Sequence, residues 1–104
     1  MPGARAALVL DAAGDVVVES GARDDRSRLV GAYQGIAFGE AQRAATREGG
    51  GSVQEVVSRY ERGAVILQPL RDGYYLVFVL GPEASLALGR QRLRPARARM
   101  IQEL

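Results

Sequence analysis

The sequence contains no cysteine and no histidine. Disulfide staples, thiolate nucleophiles, imidazole bases and most zinc or transition-metal sites are excluded together, so any metal would have to be held by carboxylates. Lysine is missing too: all 14 basic residues are arginine, which coding bias in an arginine- and alanine-rich proteome explains without a function. No apolar run approaches the roughly 20 residues needed to cross a bilayer. Met1 to Arg5 leads straight into a strand pattern instead of a signal-peptide core. These absences predict a cytoplasmic protein with no membrane span.

What is present is ordinary globular material. The 104 residues, 47% hydrophobic and 25% charged, suit a single domain over 1–104 with one core. Charge is uneven: residues 1–81 hold 9 arginines against 10 acids, whereas 82–104 hold 5 against 2. The C-terminal segment is the basic part of the chain.

Tyr74 to Leu80 is an unbroken apolar and aromatic run of strand length, which must be covered on both faces and therefore belongs in the middle of a sheet between helices. Before it, Ala6–Leu10 and Val16–Ser20 flank a turn whose Gly14 can take a positive φ, predicting a hairpin. Asp25 or Ser27 is placed to start a helix over Leu29 to about Glu48, stopped by Gly49-Gly50-Gly51. On its wheel Leu29, Val30, Tyr33, Ile36, Ala37, Ala41 and Ala44 gather on one face, which is expected to cover the sheet.

Gly31, Gly35 and Gly39 lie opposite that face, with Phe38 and Gln42 beside them. Each glycine inside a helix costs about 1 kcal/mol relative to alanine. The row either lets another backbone approach closely, most simply a second helix, or is simply tolerated or packed beneath a loop. Gly31, Gly35, Phe38, Gly39 and Gln42 are accordingly the candidate helix-face contacts to a partner.

Val53, Gln54, Glu55, Val56, Val57, Ser58, Arg59 and Tyr60 form a third strand of mixed polarity, suited to a sheet edge. With no proline, its free backbone groups either stay solvated or pair with a second copy, so these eight residues are the candidate dimer interface. Ala64–Leu70 and the Tyr74 run complete a meander through the hairpin signal Asp72-Gly73, with Pro69 expected near a strand end. Gly81-Pro82 leads to a second helix with Glu83 in its first turn and a kink or break near Gln91 to Arg94 caused by Pro95. The fold class is α+β: a five-stranded antiparallel sheet in the order β-β-α-β-β-β-α.

That order, with Ala7-Leu-Val-Leu-Asp-Ala-Ala-Gly-Asp-Val-Val-Val-Glu-Ser-Gly21, Gly63-Ala-Val-Ile-Leu-Gln-Pro-Leu-Arg-Asp-Gly-Tyr-Tyr-Leu-Val77 and Leu88-Gly-Arg, resembles the Roadblock domain. This is the family of the Roadblock dynein light chains and of bacterial regulators of small Ras-like GTPases. Many members carry a helix before the first strand, where this sequence has Met1 to Arg5. The resemblance implies a homodimer joined through the third strand and the first long helix, whose paired helices offer a platform to a small Ras-like GTPase of the polarity and motility type.

Three functions follow for comparison. The first is a non-enzymatic module that docks such a GTPase and alters its nucleotide cycle or location. The second is a scaffold or cargo adaptor with no GTPase partner. The third is a nucleic-acid or membrane-surface binder built on Arg90, Arg92, Arg94, Arg97 and Arg99, disfavoured because these scatter around a helix with no aromatic residue interleaved. No enzyme and no cofactor is expected. Gly49-Gly50-Gly51-Ser52 lacks the lysine and spacing of a phosphate loop, and Asp11 and Asp15 suit a turn better than a metal.

Overall fold

The Tyr74 run becomes the centre of the molecule. The computed structural model describes residues 4–21, 25–82 and 85–103. Its elements are β1 (Ala4–Leu10), β2 (Val16–Gly21), α1 (Asp25–Arg47), β3 (Val56–Tyr60), β4 (Gly63–Pro69), β5 (Tyr75–Leu80) and α2 (Leu86–Gln102). The five strands form one antiparallel sheet in the order β2-β1-β5-β4-β3, so β5 is the middle strand.

Alternation along β5 divides the core in two. Leu76, Phe78 and Leu80 join Ala7, Val9 and Ile66 beneath Leu93 and Met100 of α2. Tyr75 and Val77 join Leu8, Leu10, Val65 and Leu67 on the opposite face, packed by Val30 and Phe38 of α1. Each large side chain so buried contributes about 1.5–3 kcal/mol before chain entropy is set against it. No helix among the described residues is long and apolar enough to cross a membrane.

Two tight turns set the registers. The Asp11 carboxylate accepts from the Ala13 and Asp15 amides at 3.0 Å each, with Gly14 at φ 90°. Asp11 thus organises the β1–β2 turn through its side chain. Between β4 and β5, Asp72 and Gly73 both take positive φ (59° and 81°), and the Tyr74 amide donates to the Arg71 carbonyl at 3.2 Å, as a twist-matched two-residue hairpin requires. Pro69 is the last residue of β4, paired with Tyr75.

The orientation of α1 corrects the helical-wheel expectation. Leu29, Tyr33 and Ile36 are 54, 61 and 64% exposed, while Gly31 is buried and Gln34 is only 5% exposed. A Cβ at Gly31 would lie 3.2–3.3 Å from the side chains of Leu8 and Leu10. One at Gly35 would collide with the Tyr75 hydroxyl and come 3.0 Å from its Cζ. The sheet already supplies bulky side chains on this face, so the helix seats its smallest residues there. A wheel ranked by hydrophobicity alone points the wrong way.

Three smaller corrections concern element ends. The strand expected from Val53 begins at Val56, because the Val53 amide is engaged by Gln42 Oε1 at 2.9 Å. Ser85 caps α2, its hydroxyl accepting from the Leu88 amide at 3.0 Å. The helix therefore starts at Leu86, and Glu83, which lies outside the described residues, precedes its first turn in sequence. Pro95 does not break α2, which is helical from Leu86 to Gln102. Pro95 and Gln91 are both exposed, so the carbonyl deprived of its donor faces water.

Gly35→Ala is expected to destabilise the protein by about 1–3 kcal/mol through overpacking on Tyr75. Gly39→Ala, whose Cβ would meet no more than the Arg43 guanidinium at 3.6 Å, should stabilise it by about 0.5–1 kcal/mol. Urea unfolding of the two variants checks this; equal effects would mean the glycine row does not face the sheet.

Candidate partner-binding surface

Turning the glycine row inward leaves Leu29, Tyr33 and Ile36 at i, i+4 and i+7 as an exposed apolar stripe on α1. Spacing of that kind lines residues up on one side of a helix. The helix that carries the stripe is tied to the edge strand of the sheet. Gln34, next to Tyr33 in sequence, donates from Nε2 to the Tyr60 hydroxyl at 3.1 Å, tying α1 to β3. Tyr60 is itself 56% exposed. Gln34 Oε1 is buried and has no hydrogen-bond partner among the described residues, so the tie to Tyr60 is held against a desolvation cost.

β3 borders the sheet and, among the described residues, pairs only with β4, in register from Val56↔Leu67 to Tyr60↔Gly63. Val56 packs toward the α1 side and Val57 toward the α2 side. Ser58 is half-buried, and Arg59 and Tyr60 are exposed. The other backbone edge of this strand is available for further pairing. Of the eight residues expected in the strand, Val53, Gln54 and Glu55 instead form the approach to it.

The five expected helix-face residues separate. Gly31 and Gly35 face the sheet, and Phe38 packs into the core beneath α1. Gln42 is a clamp on the helix-to-strand loop: its amide donates to the Gly51 carbonyl at 3.1 Å and accepts from the Val53 amide. Gly39 alone of the five keeps an open side, half-buried beside Arg43. Close approach is the right reason for glycine, but the approaching group is the protein's own sheet. That same reason, applied to Leu8, Leu10 and Tyr75, identifies Leu29, Tyr33 and Ile36 as the outward residues.

Electrostatics fasten the approach to β3. Arg90 on α2 donates from Nε and Nη2 to Glu55 Oε1 at 3.0 and 2.7 Å, and Gln68 Nε2 donates to Oε2 at 3.0 Å. Burial by itself would raise the Glu55 carboxyl, but the hydrogen bonds from Arg90 and Gln68 and the Arg90 charge together hold it below its ordinary value. Burial, with the Asp11 charge added, pushes the Tyr75 phenol upward and keeps it neutral. Among the described residues no group of three or more carboxylates is placed to hold a metal. The surface offers apolar contact and strand backbone, the means of recognising another protein.

Residues 1–80 match the family model described as the Roadblock/LC7 domain. Solved structures are also similar. A Roadblock/LC7 domain from Streptomyces avermitilis has a TM-score of 0.78 at 22% identity, covering 96% of this chain and 88% of that one. MglB from Myxococcus xanthus has a TM-score of 0.79 at 14% identity, covering 97% and 85%. The gliding protein MglB from Thermus thermophilus has a TM-score of 0.76 at 25% identity, covering 97% and 80%. No curated protein matches the sequence significantly.

Because the folded-state pKa of Glu55 is depressed, the stability it confers is complete above the unfolded carboxylate value and is lost as pH falls through the folded one. Glu55→Gln should therefore lower stability by less than about 1 kcal/mol at neutral pH and flatten the loss of stability below roughly pH 4.5. Thermal melts of both proteins across that range check it; parallel pH profiles would contradict the role of this carboxylate.

Proposed function

The chain belongs to the Roadblock/LC7 domain family, and from that premise we propose that it is a non-enzymatic, homodimeric regulatory module that docks a small Ras-like GTPase. The observation that carries this reading is the exposed row Leu29, Tyr33 and Ile36 on the helix that Gln34 ties to β3, the strand at the sheet border. Pairing of two β3 edges, through Val56 to Tyr60, would make one continuous sheet of two copies. It would also bring both α1 helices to the same face, where apolar side chains left in water by one copy are covered by the other. The joint helical layer, with Gly39 at its surface, then forms the GTPase platform.

A dimer of this kind acts on its GTPase by holding one arrangement of the switch segments. Its effect on the nucleotide cycle equals its difference in affinity for the two nucleotide states. Such positioning requires only contact and no catalytic side chain from the module. A GTPase recognised equally in both states would be localised by the module without its cycle being altered.

Tyr33→Asp places a charge in the centre of the stripe at a position exposed in the single copy, so folding is expected to survive. The wild type should sediment as two copies and the variant should dissociate at least about tenfold more readily, as for a central interface residue. A single-copy wild type at high concentration would overturn the dimer. Pulldown by the wild type of a polarity-type GTPase loaded with GDP or a GTP analogue tests the partner: a preference for one state is expected, and no binding would favour the adaptor role.

A further inference from the structure

The five arginines of α2 are sorted into two flanks by the fold. Gly89, Leu93 and Met100 form the buried seam of the helix. Arg92 and Arg99 lie on the side toward β1 and β2, where they line a broad groove with Ala7, Val18 and Phe78. Arg90, Arg94 and Arg97 lie on the other side, against the start of β3 and the middle of β4. What scatters on a helical wheel is, in three dimensions, a row of three arginines along one hollow of about 280 Å³, completed by Glu55, Gln68 and Leu93.

The hydrogen-bonding groups of that hollow are unevenly used. Arg90 and Gln68 are both spent on the two oxygens of Glu55. Arg94 and Arg97 make no hydrogen bond or ion pair to any described residue. Arg97 Nε is buried from solvent and has no acceptor among the described residues. A buried N–H of a permanently charged group without an acceptor is costly, and what it lacks is an oxygen atom. The hollow holds three positive charges against one negative, so two remain unbalanced.

We propose that this hollow binds a doubly charged tetrahedral oxyanion, a phosphate dianion either free or carried as a small monoester, between Arg94 and Arg97 with Arg90 at its rim. Planar guanidinium forks suit two oxygens of such a group at once, and a dianion neutralises the hollow where a single carboxylate would not. The fixed Glu55–Arg90 pair closes one side and sets the size of the space left. Extended nucleic acid is a poorer fit, since the remaining arginines of α2 lie on the opposite flank and no aromatic side chain lines the hollow. The site is on the α2 face of the sheet, away from α1, and is complete in one copy.

The test is a titration of the 15N-labelled full chain with inorganic phosphate and separately with O-phosphoserine, at ionic strength held constant with sodium chloride, following the arginine Nε–H signals. Saturable shifts at Arg94 and Arg97, with Arg92 and Arg99 unmoved, are expected. Arg94→Gln, at an exposed position that leaves the fold intact, should weaken binding at least about tenfold, while Arg92→Gln should not. Tighter binding of O-phosphoserine would show that the group arrives as an ester, and equal binding that it is free phosphate; either supports the site. Equal shifts at all four arginines, shifts reproduced by chloride alone, or undiminished binding by Arg94→Gln would overturn it.

Discussion

The close seating of α1 on the sheet is the constraint from which the rest follows. Leu8, Leu10 and Tyr75 project from the strands far enough that the helix can lie over them only if it brings almost no side chain of its own at the two points of closest approach. Gly31 and Gly35 meet that condition. The cost of about 1 kcal/mol per helical glycine is offset by the packing of the leucines and the Tyr75 ring against helix backbone. A second instance occurs across the sheet, where a Cβ at Gly89 would come 2.7 Å from Leu80 Cδ1, so both helices approach through a glycine.

That choice decides what the outside of the molecule looks like. With the small residues turned in, α1 has nowhere to put Leu29, Tyr33 and Ile36 except in solvent. A soluble domain rarely leaves such side chains aligned on one helix unless another surface covers them. The Gln34–Tyr60 hydrogen bond ties the same helix to a sheet edge with backbone groups to spare. Both the apolar helix face and the strand edge would be satisfied by one partner if that partner is another copy. The α2 face is different in kind: its arginines make it basic, and Glu55 links it to the approach to β3.

Much of the fold is legible in the sequence because the signals are local. The apolar run at Tyr74 to Leu80 requires cover on both faces, Asp72-Gly73 specifies a two-residue turn, and Asp11 to Asp15 suits a side-chain-organised one. The facing of α1 is not legible from its own residues, since it depends on side chains of β1 and β5 that lie distant in sequence. The start of β3 is hidden for the same reason: Gln42, eleven residues earlier, holds Val53 out of the strand. Pro95 looks like a breaker in the sequence because a wheel does not show which carbonyls water can reach. The three-arginine hollow needs β4 in place before Arg90, Arg94 and Arg97 can be seen to share it.

Hydrogen exchange along Val56 to Tyr60 and α1, followed as protein concentration is raised, tests most directly whether the outward stripe and the sheet edge are one shared surface. Amides of β3 that point away from β4 should slow together with those of the α1 turns carrying Tyr33 and Ile36, both in proportion to the population of paired copies. Exchange at the β3 edge that is fast and independent of concentration would contradict it.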